Sequence, residues 1–245
     1  MSEKLIEIGD FPLWMTDGPA RFGIIASARA ILLKDEYVLE PIRRTGHWPQ
    51  YFVDVGANVG AFAVQAASVF PGAEILAFEP DPDNVLCLRK NVKGLHARVH
   101  ICDKAAWGAD APARVRFRRY AEHPVSNQVW PQAEDAWDWQ KISGQAWDEE
   151  IEVETCRLPD VLAAHDFPRI DVLKLDCEGA EGPILEDLAA TGWLKYTRWI
   201  RFEWDGQKCR EQIERALAPT HIARYVVWPG GTGWGLAHSR KDDQR

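Results

Sequence analysis

A chain of 245 residues with 46% apolar and 27% charged side chains has the make-up of an ordinary globular protein, large enough for a full core, and one domain is expected. Its formal net charge of −8 argues against a broad nucleic-acid or anionic-membrane surface, and no run of eighteen apolar residues offers a spanning helix. The start, Met1-Ser2-Glu3-Lys4, is not a basic stretch leading into an apolar one, and the five cysteines are scattered with no C-x-x-C pair, so a cytoplasmic protein with reduced thiols is expected.

In chain order, Ile24 to Leu39 has apolar residues at helical spacing, with Pro41 expected to stop it. Residues 1–50 are read as an N-terminal helical segment that covers a cleft or pads a sheet, padding being the commoner role. The domain proper, 51–245, begins with a strand at 51–55, a helix at 59–70 and a second strand at 74–79. A helix from Asp83 to Asn91 and a third strand at 97–102 follow. Then the alternation stops. Arg114–Arg118 and Glu150–Glu154 alternate polar and apolar, which predicts an antiparallel pair in an insert over about 112–156. A short helix at Leu158–Ala164, a fourth strand at Ile170–Leu175, a helix at Pro183–Leu188 and a fifth strand at 199–202 resume the pattern. A helix at 211–217 and two strands near 222–227 and 234–237 close it. The fold class is therefore α/β, a Rossmann-like doubly wound, seven-stranded, mostly parallel sheet with an antiparallel insert after strand three. Such sheets bind ligands at the C-terminal strand ends, and Asp54, Glu79, Asp103, Asp176 and Glu203 all fall at or just past those ends.

Tyr51-Phe52-Val53-Asp54-Val55-Gly56-Ala57-Asn58-Val59-Gly60 reads as a buried strand entering a glycine loop that opens a helix, and Glu79 follows about 20 residues on, placed to accept from ribose hydroxyls. The dinucleotide pattern wants a glycine where Asn58 stands, and a carboxylate at Asp54 repels a pyrophosphate. An adenosyl ligand with an ammonium and a sulfonium, S-adenosylmethionine, suits these residues better than NAD(P). In the blander alternative Asp54 merely caps the helix, which leaves Glu79 a coincidence.

These residues, continued by Ala77-Phe78-Glu79-Pro80, Asn91, Ala105-Ala106-Trp107-Gly108 and Leu173-Lys174-Leu175-Asp176-Cys177-Glu178-Gly179-Ala180-Glu181, resemble the FkbM-type methyltransferases over about residues 51–205. The resemblance implies a class I methyltransferase fold, S-adenosylmethionine as cofactor, and methyl transfer, usually to oxygen of sugars or natural-product hydroxyls. It implies a small-molecule or glycan acceptor; from the net charge, neither nucleic acid nor membrane is expected as partner. Cofactor roles carry over to Asp54, Gly56, Asn58, Gly60 and Glu79, with Ala57 and Pro80 beside them, and Asp103 is expected at the adenine. Two departures lie near substrate space: Gly182-Pro183, where the family's helix continues unbroken, and the Trp-rich stretch 120–147.

An alcohol attacks a methyl poorly unless a base takes its proton, and Asp176 and Glu178 are the candidates. His123 is another candidate base, against the reading of a solvated loop histidine; it and Glu203 are assigned to the acceptor's side. Asp176, Glu178 and Glu203 offer three oxygens to a divalent cation, a less favoured reading. Glu181 reads equally as a helix-end acid. Trp130, Trp137, Trp139 and Trp147 form either a stacking wall or a self-packed cluster. Arg114, Arg116 and Arg118 read as a solvated strand face. N- or carboxyl-methylation on the same fold, and a non-catalytic cofactor-binding regulatory module, are the alternatives.

Overall fold

The computed structural model describes residues 3–18, 21–120, 127–130, 146–228 and 232–242. The chain opens on a hairpin, β1 (Glu3–Ile8) against β2 (Phe11–Thr16), and continues into α1 (Arg21–Lys34) and α2 (Leu39–Arg44). Next come β3 (Tyr51–Val55), α3 (Ala61–Val69), β4 (Glu74–Phe78), α4 (Pro82–Asn91) and β5 (Arg98–Cys102). The insert holds β6 (Ala105–Trp107), β7 (Arg114–Arg119), β8 (Gln128–Trp130) and β9 (Glu149–Arg157). Then α5 (Leu158–Ala164), β10 (Ile170–Leu175), α6 (Glu181–Ala190), β11 (Thr197–Asp205), α7 (Gly206–Leu217), β12 (His221–Val227) and β13 (Thr232–Ser239) complete the chain.

The main sheet has the order β12-β13-β11-β10-β3-β4-β5, and only β13 runs against the others. This is the seven-stranded, mostly parallel, doubly wound sheet expected from the alternation. The chain winds outward from β3 through β4 to β5, then returns to β10 on the other side of β3. The topological switch, and the crevice that goes with it, lies between β3 and β10. Both faces are covered, so the central strands are mostly apolar, with Asp54, Asp171 and Lys174 as buried charged exceptions. Phe52, Ile75 and Val172 pack on one face with α1, α3 and the hairpin; Val53, Leu76, Leu173 and Ile200 pack on the other with α5 to α7.

The N-terminal segment corrects the helical reading. Residues 3–16 are a hairpin, and its two-residue turn, Gly9-Asp10, joins Ile8 paired with Phe11. Pro41 does not end a helix; it sits in the first turn of α2, where a missing N–H removes no hydrogen bond. The break comes earlier, because Asp35 and Val38 adopt left-handed backbone (φ +53° and +56°). The Asp35 carboxylate accepts from the Leu39 and Glu40 amides at 2.8 and 3.0 Å and from Gln65 on α3 at 2.9 Å, which offsets that strain. Asn91 fastens the hairpin to the domain, exchanging bonds with both backbone groups of Trp14 and donating to the Val59 carbonyl.

The insert forms a four-stranded sheet, β6-β9-β7-β8, with β7 and β9 antiparallel and Arg114 opposite Glu154. The arginines face glutamates rather than water alone: Arg116 and Arg118 pair with Glu150 at 3.4 and 3.2 Å, and Arg118 lies 3.7 Å over the Trp147 ring. Trp137 and Trp139 lie outside the described residues. Gly182-Pro183 does not break α6 but begins it, since that helix starts at Glu181.

Candidate active site

A cavity opens along the C-terminal ends of β3, β4 and β10. Its floor is the loop from Val55 to Val59; Ile24, Ala28, Ile31 and Tyr37 of the N-terminal segment form its roof. The segment thus both pads the sheet and covers the cleft.

The loop is built from within. The Gly56 and Ala57 amides donate to the Phe78 carbonyl at 3.0 and 2.9 Å, and Gly60 donates to Ala57 at 2.7 Å. The Asn58 amide donates to Glu79 Oε2 and the Val59 amide to Asn58 Oδ1, each at 2.8 Å. Every amide from Gly56 to Gly60 therefore has a protein acceptor, so the loop itself presents no row of free N–H groups to a pyrophosphate. Gly56 is obligatory for packing: at φ +77°, a Cβ there would fall 1.8 Å from the Asp176 carbonyl oxygen on the adjoining strand end.

Asp54 is 0% exposed and lies beneath the loop, outside the cavity lining, so its charge does not face a ligand as the sequence suggested. Register explains this: Asp54 stands opposite Lys174, which stands opposite Arg201, on the face roofed by Tyr37. Lys174 Nζ lies 3.3 Å from Asp54 Oδ1 and 3.6 Å from Asp176 Oδ2, and it donates to the Val55 and Gly56 carbonyls at 3.1 and 2.6 Å. Burial alone would lower the ammonium's pKa, but the Asp54 and Asp176 charges raise it above its ordinary value. Burial pushes the Asp54 carboxyl up while Lys174 pulls it back.

Glu79 is buried beside the loop. Its Oε1 accepts from the Asp81 amide at 2.9 Å and from Asn84 at 3.4 Å, in addition to the Asn58 bond on Oε2. Burial, with the neighbouring Asp81 charge, lifts its carboxyl to about 7 against those bonds.

At the opposite end of the cavity stand Asp176 and Glu178. The Tyr37 hydroxyl donates to Asp176 Oδ2 at 2.7 Å across 139 residues of sequence. Burial and the Asp176 charge hold that phenol well above its ordinary pKa, so it remains a donor. Glu178 has left-handed backbone, φ +59°, a cost that recurs at functional sites. Its carboxyl is pushed well up by burial, then by Asp205, Glu203 and Asp176. Glu203, on β11, is likewise raised by burial and by Asp176 and Asp205. Glu181 is the helix-end acid: it accepts from the Cys177 and Gly179 amides at 2.8 and 3.1 Å and closes the turn.

Of the sequence-predicted residues, Gly56, Ala57, Asn58, Glu79, Pro80, Asp176 and Glu178 line the cavity. Gly60 instead packs on Leu88 of α4, where a Cβ would meet a methyl at 2.5 Å. Asp103 is exposed, pairs with Arg89 at 3.3 Å and is not in the lining; Ala105 and Ala106, just beyond it, do line the cavity. Glu203 reaches the acidic end through its charge and is not in the lining. His123 lies outside the described residues. Among the described residues no group of three or more His, Cys, Asp or Glu side chains is arranged to hold a metal ion, and Asp176, Glu178 and Glu203 do not form one. No helix of the described residues is long and apolar enough to cross a membrane. Sequence reasoning missed Tyr37, Phe117 and Asn127; Lys174 had a signal in its alternation with Asp176.

The sequence model of one protein family, the methyltransferase FkbM domain, matches residues 54–226. Methyltransferase sdnD of Sordaria araneosa is 26% identical over 184 residues, 68% of this chain and 71% of that protein. The 31-O-demethyl-FK506 methyltransferase FkbM of Streptomyces tacrolimicus is 31% identical over 57% of this chain and 60% of its own length. The 2-O-methyltransferase NoeI of Sinorhizobium fredii is 28% identical over 65% of each. Among solved structures, a putative O-methyltransferase from Klebsiella pneumoniae aligns with 92% of this chain and 91% of its own at 14% identity and a TM-score of 0.46.

Proposed function

Because this chain belongs to the FkbM methyltransferase family, we propose that it uses S-adenosylmethionine to methylate a hydroxyl oxygen of a small molecule or glycan. The observation that carries the cofactor reading is the loop whose amides from Gly56 to Gly60 are all satisfied internally, beside a cavity ending in Asp176 and Glu178. That pairing suits a cationic, phosphate-free adenosyl ligand. Two relatives named for O-methylation, at 31-O and 2-O, support oxygen as the acceptor atom.

When bound, S-adenosylmethionine supplies an electrophilic methyl on a sulfonium. The chain's own residues hold it and prepare the nucleophile. Glu79 receives the ribose. A carboxylate offers about four lone-pair sites and three are taken by Asn58, Asp81 and Asn84, so one strong ribose bond is expected rather than two. Asp176 is the base: Tyr37 occupies Oδ2, and Oδ1 takes the proton of the acceptor hydroxyl. Lys174 Nζ, 3.6 Å from Oδ2, holds that carboxylate in place. Glu178 shares the acidic end and favours a positive sulfonium over its neutral product.

Labelled S-adenosylmethionine assayed against panels of hydroxyl, amine and carboxyl acceptors tests the proposal. Transfer to hydroxyls supports it; turnover confined to amines or carboxyls rejects the oxygen assignment. On the working acceptor, Asp176→Asn should lower turnover by about 10²-fold or more with little change in cofactor affinity. Activity undiminished by chelator leaves the base reading standing, whereas a loss that added metal restores would favour a cation at Asp176.

A further inference from the structure

The cavity is electrically lopsided. One end holds Asp176, Glu178 and Lys174. Beyond Glu79 and Pro80, the other end is walled by Ala105, Ala106, Phe117 and Asn127, none of them charged. A cationic methionine moiety belongs at the first end, so the flat, uncharged nucleobase belongs at the second. We propose that the inserted sheet builds the nucleobase end of this site: Asn127 reads the hydrogen-bonding edge of adenine and Phe117 lies against its face. The inference rests on the S-adenosylmethionine reading and assigns these roles to the insert rather than to the residue after β5.

Phe117, on β7, is 4% exposed and packs with Ala105 and Val153, so its ring is fixed before any ligand arrives. The orientation of the Asn127 amide is fixed by its partners. Its Oδ1 accepts the Tyr120 backbone N–H at 2.8 Å, and its Nδ2 donates to Asp81 Oδ2 at 2.9 Å. A flipped amide would face donor to donor and acceptor to acceptor. Among the described residues, one N–H and one carbonyl lone pair then remain without a partner. Adenine offers a ring-nitrogen acceptor next to an amino donor, the pattern a carboxamide pairs with.

Arg119 keeps this wall against the rest of the site. Its guanidinium binds Asp81 at 2.9 Å, Glu149 at 2.8 Å and also Asp83. Asp81 caps α4 through the Asp83 amide at 2.9 Å, and its own amide donates to Glu79. The acid meant for the ribose and the amide meant for the base are therefore held by one turn, residues 79–83, which the insert clamps.

Calorimetry with S-adenosylhomocysteine and S-inosylhomocysteine tests this without any acceptor. The inosine base replaces the amino donor by a carbonyl. The unaltered protein should prefer the adenosyl ligand by about tenfold or more. Asn127→Ala should lose that preference by weakening the adenosyl ligand alone, and Phe117→Leu should weaken both ligands alike. A preference that survives Asn127→Ala overturns the proposal, while failure of the unaltered protein to bind either ligand overturns the cofactor reading instead. If Asn127→Ala does not fold, hydrogen exchange on the unaltered protein decides. Added S-adenosylhomocysteine should slow exchange across 114–120 and at 127, and an insert indifferent to it rejects the assignment.

Discussion

Lys174 is buried, and its ammonium is held by Asp54 on one side and by two loop carbonyls on the other. Deleting one member of such a pair leaves an uncompensated buried charge, which costs about 3–5 kcal/mol. Lys174→Met should therefore lower the melting temperature by roughly 10 °C in a chain of this size, and adding Asp54→Asn should restore most of it. A Lys174→Met melting point within 2 °C of the original would show that the pair does not organise the loop. Glu79 gives a second prediction. Its carboxyl, lifted by burial to about 7, must ionise to accept a ribose hydroxyl strongly. Affinity for adenosyl ligands should then rise roughly tenfold from pH 6 to pH 8, and Glu79→Gln should flatten that rise. Parallel slopes in calorimetry of the two proteins would remove Glu79 from the ribose. Both residues stand out in the sequence, yet their partners do not. That Asp54 faces Lys174 depends on β3 lying beside β10, a neighbour relation across 120 residues that no local pattern encodes. Asp103 is the converse case: it falls in the expected place along the chain, but its side chain pairs outward with Arg89.

Elements whose signal is local were legible. β3, β4 and β10 announce themselves as apolar runs because both faces of the sheet are covered. The β7 and β9 pair was legible from its alternation, although β6 and β8, three residues each, were not. The N-terminal hairpin was hidden because Leu5-Ile6 breaks strict alternation, though Gly9-Asp10 is a two-residue turn signal. The split between α1 and α2 follows from Gln65 of α3 holding Asp35, a tertiary contact. That split turns Tyr37 inward over the sheet, its ring edge-on to Phe62 at 5.3 Å and its hydroxyl on Asp176. Tyr37→Phe keeps the ring and removes the donor. Asp176 then loses the partner that orients its carboxylate, so turnover should fall several-fold while affinity for S-adenosylhomocysteine changes little. Unchanged turnover with lowered stability would reduce Tyr37 to roof packing. Unchanged turnover in Tyr37→Phe together with full turnover in Asp176→Asn would instead dismiss Asp176 as the base.

For the molecule as a whole, the C-terminal edge of the sheet gathers carboxyls that burial holds above their ordinary pKa: Glu178, Glu181, Glu203 and Asp205, each raised further by the others or by Asp176. The doubly wound topology was readable from the alternation of strands and helices; that its switch point would concentrate acids was visible only as strand-end positions. Linkage sets the sign of the consequence. These groups hold protons more tightly folded than unfolded, so the unliganded fold binds more protons than the unfolded chain and loses stability as pH rises above the ordinary carboxylate range. A positive ligand charge at that edge lowers those pKa values and reverses part of the loss. S-Adenosylmethionine and S-adenosylhomocysteine differ by one methyl and one positive charge, and they share the ribose, so the contribution of Glu79 cancels in their difference. The melting-point gain with S-adenosylmethionine, minus the gain with S-adenosylhomocysteine at equal saturation, should grow from pH 5.5 to pH 8. Added salt should shrink it only modestly, because buried charges are screened less than exposed ones. A difference that stays flat across that range would mean that the sulfonium does not face the acidic edge, and both the orientation of the cofactor and the nucleobase end assigned to the insert would have to be reversed.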